Sequence, residues 1–281
     1  MVEGFCLFRW RYIIWPKRYA KWNQLCIFVE DRRRLGIVKS GNCVLDLPLL
    51  SAFAIFVEKN KAMKVLVDER IREICPDVKI GLIRAKVRNS ETSEELWQEI
   101  KEASRRIHDS YELLWINKRP AIAATRQLYK RLGKDPNRYR VSSEALCRRV
   151  VKGMDIYRIS TLVDLINLVS MGCGYSIGGF DADKIVGDTV IFGVGEAGEK
   201  FEGIGRGLLN IEGLPVYRDA VGGIGSPTSD EERTKITMET THLHMQINAF
   251  GEEMPMDDTL RWSVSLLEKY ASATDIEVTV F

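Results

Sequence analysis

The fold turns on one stretch, TLVDLINLVSMGCGYSIGGFDADKI, residues 161–185. Its first half is an apolar run, and Ser160 stands where a helix cap belongs. From Gly172 onward the character changes. Glycines become frequent, and short β-branched segments alternate with turns.

Working upstream, the text is helical. Thr92-Ser93-Glu94-Glu95 has the form of a capping box, in which Thr92 accepts from a first-turn amide and Glu95 reaches back. Leu96, Ile100, Ala103, Ile107, Tyr111 and Leu114 then recur on one stripe. Pro120 suits the first turn of a second helix and Gly133 its end. DPNRY (135–139) is a turn, and Ser142 or Ser143 caps a third helix that ends near Gly153. Further upstream, MKVLVDERIREICPDVKIGLIRAKV (63–87) reads as strand, short helix, strand. Downstream, residues 188–194, 214–217 and 235–241 read as strands. Asp257 or Asp258 caps a last helix with Leu260, Val264, Leu267 and Tyr270 inward, and residues 276–281 alternate as a closing strand. Helices dominate the first half and strands the second, an α+β layout.

The 281 residues suffice for a sizeable core, and 45% apolar with 28% charged residues is ordinary globular composition. The net charge of +2 does not by itself argue for nucleic acid, but its distribution is uneven. Residues 1–62 carry 11 Lys/Arg against 5 Asp/Glu, and hold Cys6, Cys26, Cys43, Trp10, Trp15 and Trp22. They show no sustained period of 3.6 or 2. They are expected to be a basic N-terminal extension, upstream of a plausible protein start at Met63. The alternative is an arm for RNA or a membrane surface, with Arg32-Arg33-Arg34 as its best sign. The cysteines show neither CxxC nor metal-ligand spacing, so no disulfide framework and no metal site is expected, and a reducing cytoplasm fits. The apolar stretches at 5–15 and 43–57 are interrupted by charge and short of a span of about twenty residues, so a membrane partner is not expected.

Four places are candidates for chemistry. Lys118, Arg119, Arg126, Lys130, Arg131, Lys134, Arg138 and Arg140 cluster, followed by Arg148, Arg149 and Lys152, with Tyr129 and Tyr139 interleaved. Such cations neutralise phosphates and such rings stack on unpaired bases; the plainer reading is a solvated helix face. Arg126, Lys130, Arg138, Arg140 and Arg148 are the RNA candidates. The loop Val221-Gly222-Gly223-Ile224-Gly225-Ser226-Pro227 can aim amides at an anion or leave room for a flat ligand, though it equally makes a tight strand connection. Glu239 in ITMETT could orient or deprotonate a water. His242 and His244 share a strand face, but a third metal ligand is not apparent.

These pieces together resemble the B3/B4 domain of phenylalanyl-tRNA synthetase beta subunits, whose pattern runs VD-x-x-N, PLHAFD, AGVMGG, then T-x-x-v-x-LE-s-A. Here stand Val163-Asp164-Leu165-Ile166-Asn167, then Ser176-Ile177-Gly178-Gly179-Phe180-Asp181, then Val221 to Ser226, then Thr234 to Thr241. Order and approximate spacing agree from about Met63 to Ile276. The resemblance implies a three-layer α+β unit containing a β-sandwich of unusual topology, with tRNA as partner and no cofactor. In the synthetase this domain hydrolyses tyrosine wrongly attached to the phenylalanine tRNA. Carried over residue by residue, Glu239 matches the family glutamate. Gly222, Gly223 and Gly225 match the loop, and Asn167 the earlier asparagine. Gly178 stands where the family has histidine, which removes a polar contact or proton handler. The chain has no adenylate-forming motif and is not expected to aminoacylate. The resemblance implies a trans-acting aminoacyl-tRNA editing hydrolase. The alternative is a non-catalytic module that binds tRNA or an amino acid. The amino acid, the tRNA and the oligomeric state stay open.

Overall fold

The structure is a computed structural model that describes residues 63–281 and, ahead of them, residues 27–31, 34–39 and 42–44. The chain divides into two compact units, Met1–Ala62 and Met63–Phe281. In the first, β1 (Ile27–Asp31), β2 (Arg34–Lys39) and β3 (Asn42–Val44) pair antiparallel in that order. Strands of three to six residues are too short to carry a sustained alternation. The leader's three tryptophans, Cys6, Cys26, Arg32 and Arg33 lie outside the described residues.

The second unit begins with β4 (Lys64–Val67), α1 (Glu69–Ile74) and β5 (Lys79–Lys86), as residues 63–87 predict. Four helices follow: α2 (Glu94–Ser110), α3 (Pro120–Arg131), α4 (Ser142–Val151) and α5 (Thr161–Cys173). Next come β6 (Ser176–Asp181), β7 (Thr189–Val194), the short pair β8 (Glu202–Gly203) and β9 (Gly207–Leu208), β10 (Pro215–Arg218) and β11 (Gly223–Gly225). The chain closes with β12 (His242–Ala249), α6 (Met256–Ala271) and β13 (Thr274–Val280). The α+β layout is as expected.

Two four-stranded sheets organise this unit. One has the order β13-β5-β12-β6, all antiparallel. The other has the order β11-β10-β7-β4, with β4 and β7 parallel. Side chains alternate across a strand, so each strand of the first sheet serves two environments. Ile83, Ala85, Leu243, Met245, Ile247 and Ile177 face the helices, where they join Leu96, Ile100, Leu162, Leu165, Leu260 and Leu267 in the largest core. Burying each large aliphatic chain contributes about 1.5–3 kcal/mol. The opposite face sends Ile80, Leu82 and Phe180 against Val190, Phe192, Tyr217 and Ile224 of the second sheet.

Local chemistry departs from expectation at several points: Val141 and Pro255 stand at the caps of α4 and α6, with Ser142, Ser143, Asp257 and Asp258 already inside the helices. Ser93, not Thr92, caps α2 by accepting from the Leu96 amide, while Thr92 turns inward to the buried Asp164 carboxylate. Ser160 makes no side-chain cap of its own. Asn89 reaches across instead, accepting from the Leu162 amide and donating to Ser160 and the Thr237 carbonyl. The stripe runs on to Tyr111, which packs against the core just past the end of α2 at Ser110, but Leu114 is 76% exposed. Among the described residues no helix is long and apolar enough to cross a membrane.

Candidate functional site

The most unusual feature is the inter-sheet face of β12. Its alternating residues His244, Gln246 and Asn248 are all buried, 0–2% exposed. Asn248 is satisfied, accepting from the Tyr217 hydroxyl and donating to the Ser176 carbonyl at 2.9 Å. His244 and Gln246 are not: among the described residues both ring nitrogens and both amide atoms lack a partner. An unpartnered buried polar group costs about 1–3 kcal/mol, so a packed face carrying two of them calls for a reason beyond folding. Burial, with Arg84 opposite on β5, pushes the His244 imidazole down to about 3, so it is neutral around pH 7.

Register places Gly178 directly across from Gln246, and Phe180 across from His244. The loop after β11 returns beneath them. Ser226 accepts from the amides of Thr228 and Ser229, and the Ser142 amide holds the Pro227 carbonyl at 2.8 Å. This turn directs Asp230 inward. The residue is half-buried, but its carboxylate accepts from the Gly179 amide at 3.3 Å and is enclosed by the sheets. Burial pushes the Asp230 carboxyl up to about 7. The two glycines make room for this arrangement. A β-carbon on Gly225 would lie 2.5 Å from Phe180 Cζ and 2.7 Å from Asp230 Oδ1; one on Gly178 would lie 2.8 Å from Phe180 Cζ. The Phe180 ring therefore fills the space that both glycines vacate.

Of the residues expected at the site, Gly178, Gly223 and Gly225 are buried, and Gly178 and Gly225 meet around the Phe180 ring. Gly222 lies at the rim, its amide bound to Asp219. Asn167 is elsewhere: it is on α5, which sends Ile166 against the other face of β6, where a Gly179 β-carbon would lie 2.5 Å from Ile166 Cδ1. The strand expected at 235–241 is not formed. Lys235 makes one bridge to Phe180, and residues 237–240 turn, the Thr240 amide meeting the Thr237 carbonyl. Glu239 is exposed on that turn with no hydrogen bond or ion pair to the described residues, because the Thr240 hydroxyl, bound to Asp181 and the Thr237 amide, turns the chain before β12 starts. Sequence reading missed Asp230, Gln246 and Asn248. The signal was the alternation HLHMQINA itself, in which every second residue is polar.

The basic cluster divides. Glu144, 3% exposed, gathers Arg126 at 2.8 Å, Arg140 at 3.8 Å and Arg148 at 4.0 Å. Arg126 is further bound to the Pro136 carbonyl and Asn137, and Arg148 to the Leu113 carbonyl. Arg119 is buried against Glu253 and the Met171 and Gly172 carbonyls. These arginines hold segments together. Lys130 and Arg138 are exposed with no carboxylate partner among the described residues, and Lys134 and Arg138 both stand over the Tyr139 ring. His242 binds Asp183 at 2.7 Å, and no group of three metal-ligating residues gathers among the described residues.

Comparison with known proteins finds a family match over part of the chain. Residues 124–257 match the family model described as B3/4 domain. None of the curated proteins matches. Among solved structures, an N-terminal fragment of the phenylalanyl-tRNA synthetase beta-subunit from Pyrococcus horikoshii is similar at 15% identity and a TM-score of 0.39. The match covers 76% of this chain and 50% of that one, so the chain spans half the length of the fragment. Residues 124–257, from within α3 to the first turn of α6, are thus the part of this chain that is similar to the B3/4 domain.

Proposed function

We propose that this protein binds tRNA and that its inter-sheet face recognises rather than hydrolyses. Counted from Thr240 instead of Thr234, which moves the match of the family glutamate off Glu239, the family pattern T-x-x-v-x-LE runs through Leu243 and Met245 to Gln246. In that register the family's glutamate and histidine fall on Gln246 and Gly178, which are cross-strand partners. The single observation that carries the reading is this pair: where the family sets a carboxylate and an imidazole, this chain sets an amide and a bare backbone. An amide neither accepts a proton from water nor returns one to a leaving group. Affinity for the phosphate backbone comes from the exposed cations Lys130, Arg138 and Arg140, the first two unpaired with any described carboxylate.

A second reading keeps trans-acting aminoacyl-tRNA hydrolysis, and Asp230 favours it, since a carboxyl near 7 suits general acid-base work. The test is one preparation of the full chain and two assays. Binding to a tRNA transcript should weaken steeply with salt, and Lys130→Ala and Arg138→Ala should each lower the log–log salt slope by about 1. Amino acid should not be released from a panel of mischarged tRNAs, beginning with tyrosine on phenylalanine tRNA. Release that vanishes in Asp230→Asn overturns the non-hydrolytic reading. Release lost in Glu239→Ala returns the chemistry to that turn.

A further inference from the structure

The helical part of the second unit exposes two aromatic rings that no core claims. Trp115 is 54% exposed and Tyr157 is 68% exposed. Each is faced by one cation: Lys118 Nζ lies 3.9 Å from the Trp115 ring centre, and the Arg149 guanidinium carbon 4.2 Å from that of Tyr157. Both rings flank the last turn of α4. Arg148 donates to the Leu113 carbonyl at 3.2 Å and so ties the segment before Trp115 to that helix. Arg149 donates to the Asp155 carbonyl at 2.5 Å and so ties down the segment before Tyr157. Among the described residues Lys118, Arg149 and Lys152 have no carboxylate partner, whereas the nearby exposed acids are Glu112 and Asp155. The surface is therefore positive as well as aromatic, and Leu114 and Ile159 add exposed apolar area beside the rings.

We propose that Trp115 and Tyr157 form a stacking platform for unpaired nucleotides. The proposal rests on the RNA-binding reading above and gives it a place and a strand form. Rings presented with a cation alongside can take up the face of a base, while the cation meets the neighbouring phosphate. A duplex keeps its bases stacked on each other and would use only the cations. Trp, Tyr and Arg are also common in protein interfaces, so a protein partner is the competing occupant; the lysine over Trp115, a residue depleted in interface cores, favours the nucleic acid.

The experiment uses the full chain with three fluorescent probes: a mixed-sequence single strand of about twelve nucleotides, a duplex of the same length, and a tRNA transcript. Trp115→Ala and Tyr157→Ala should each weaken single-strand binding by roughly 5- to 100-fold. They should leave the salt slope and the duplex affinity unchanged, since no phosphate contact is removed. Trp115→Phe should keep most of the affinity. Both rings are exposed, so unchanged circular dichroism is expected of every variant. Single-strand affinity within two-fold of wild type in the double alanine variant, with tRNA still bound, overturns the platform and leaves the RNA reading standing. No binding of any probe at low salt overturns both. A dimer that dissociates in Trp115→Ala, with RNA affinity unchanged, makes the surface a protein interface and overturns the platform.

Discussion

Replacing Asp230 by asparagine should stabilise this protein, and only above a defined pH. The Asp230 carboxylate accepts one hydrogen bond, from the Gly179 amide, and otherwise lies against Phe180 between the sheets. Burial raises its carboxyl from 3.8 to about 7. The native state therefore keeps a proton that the unfolded chain has already given up between about pH 4 and pH 7. Stability must fall as pH rises through that window and level off above it. Every tenfold weakening of a carboxyl's acidity by the fold costs about 1.4 kcal/mol once the group is ionised, so the penalty at pH 8 is on the order of 4 kcal/mol. Asparagine has the same shape, keeps an acceptor for Gly179 and carries no charge. Urea unfolding of both proteins, followed by circular dichroism from pH 4.5 to pH 8, gives the difference in free energy. That difference should grow by about 3 kcal/mol, from about 1 kcal/mol at pH 4.5 to about 4 kcal/mol at pH 8. Carboxylates held low by partners, such as Glu199 by Arg218 and Asp219 by Arg233, titrate below the window and cancel in the difference. A difference that stays constant within about 1 kcal/mol across the range refutes the reasoning, because the carboxylate would then be solvated in the fold.

Three further substitutions bear on the same architecture. His244→Leu should gain stability relative to wild type as pH falls: the buried imidazole stays neutral down to about 3 while the unfolded one protonates below 6.5, a difference of about 2 kcal/mol at pH 5 that urea unfolding would detect. Glu253→Ala should cost about 3–5 kcal/mol, read as a lower melting temperature, because it strands the buried Arg119 and removes the carboxylate that accepts from the Ala121 amide at the start of α3. Gly225→Ala should cost about 1–3 kcal/mol by driving a β-carbon into the Phe180 ring, and Phe180→Leu in the same chain should recover part of it in the same melting assay.

The elements that were legible in the sequence are those whose packing is set by local pattern. Leu96, Ile100, Ala103 and Ile107 sit at helical spacing, and all four enter the core as that spacing predicts. β5 reads well because its alternation matches its two faces. The candidate site was less legible, for a physical reason. Alternation shows which residues share a face, but not what covers that face. In HLHMQINA the polar set looks like a solvent side, and only the second sheet, built from residues 64–67 and 189–225, turns it into an interior. The glycines at 178 and 225 were visible, yet their common role depends on a ring from Phe180 reaching both. The basic run is a second case in which pattern omits the partner. Arg126 and Arg148 belong to a dense basic run, but their partner Glu144 makes them interior ties.

That shared carboxylate has a consequence for genetics. Arg126, Arg140 and Arg148 come from three different segments and converge on a single acid. Their effects in any mutational scan must be epistatic. Removing Glu144 leaves three like charges crowded without a counterion, whereas removing one arginine eases the remaining two. Changing Glu144 together with Arg126 should therefore be milder than changing Glu144 alone. A screen that scores single alanine variants for any lost activity would rank Arg126 high because its loss disturbs this junction, so its score alone cannot be read as a ligand contact.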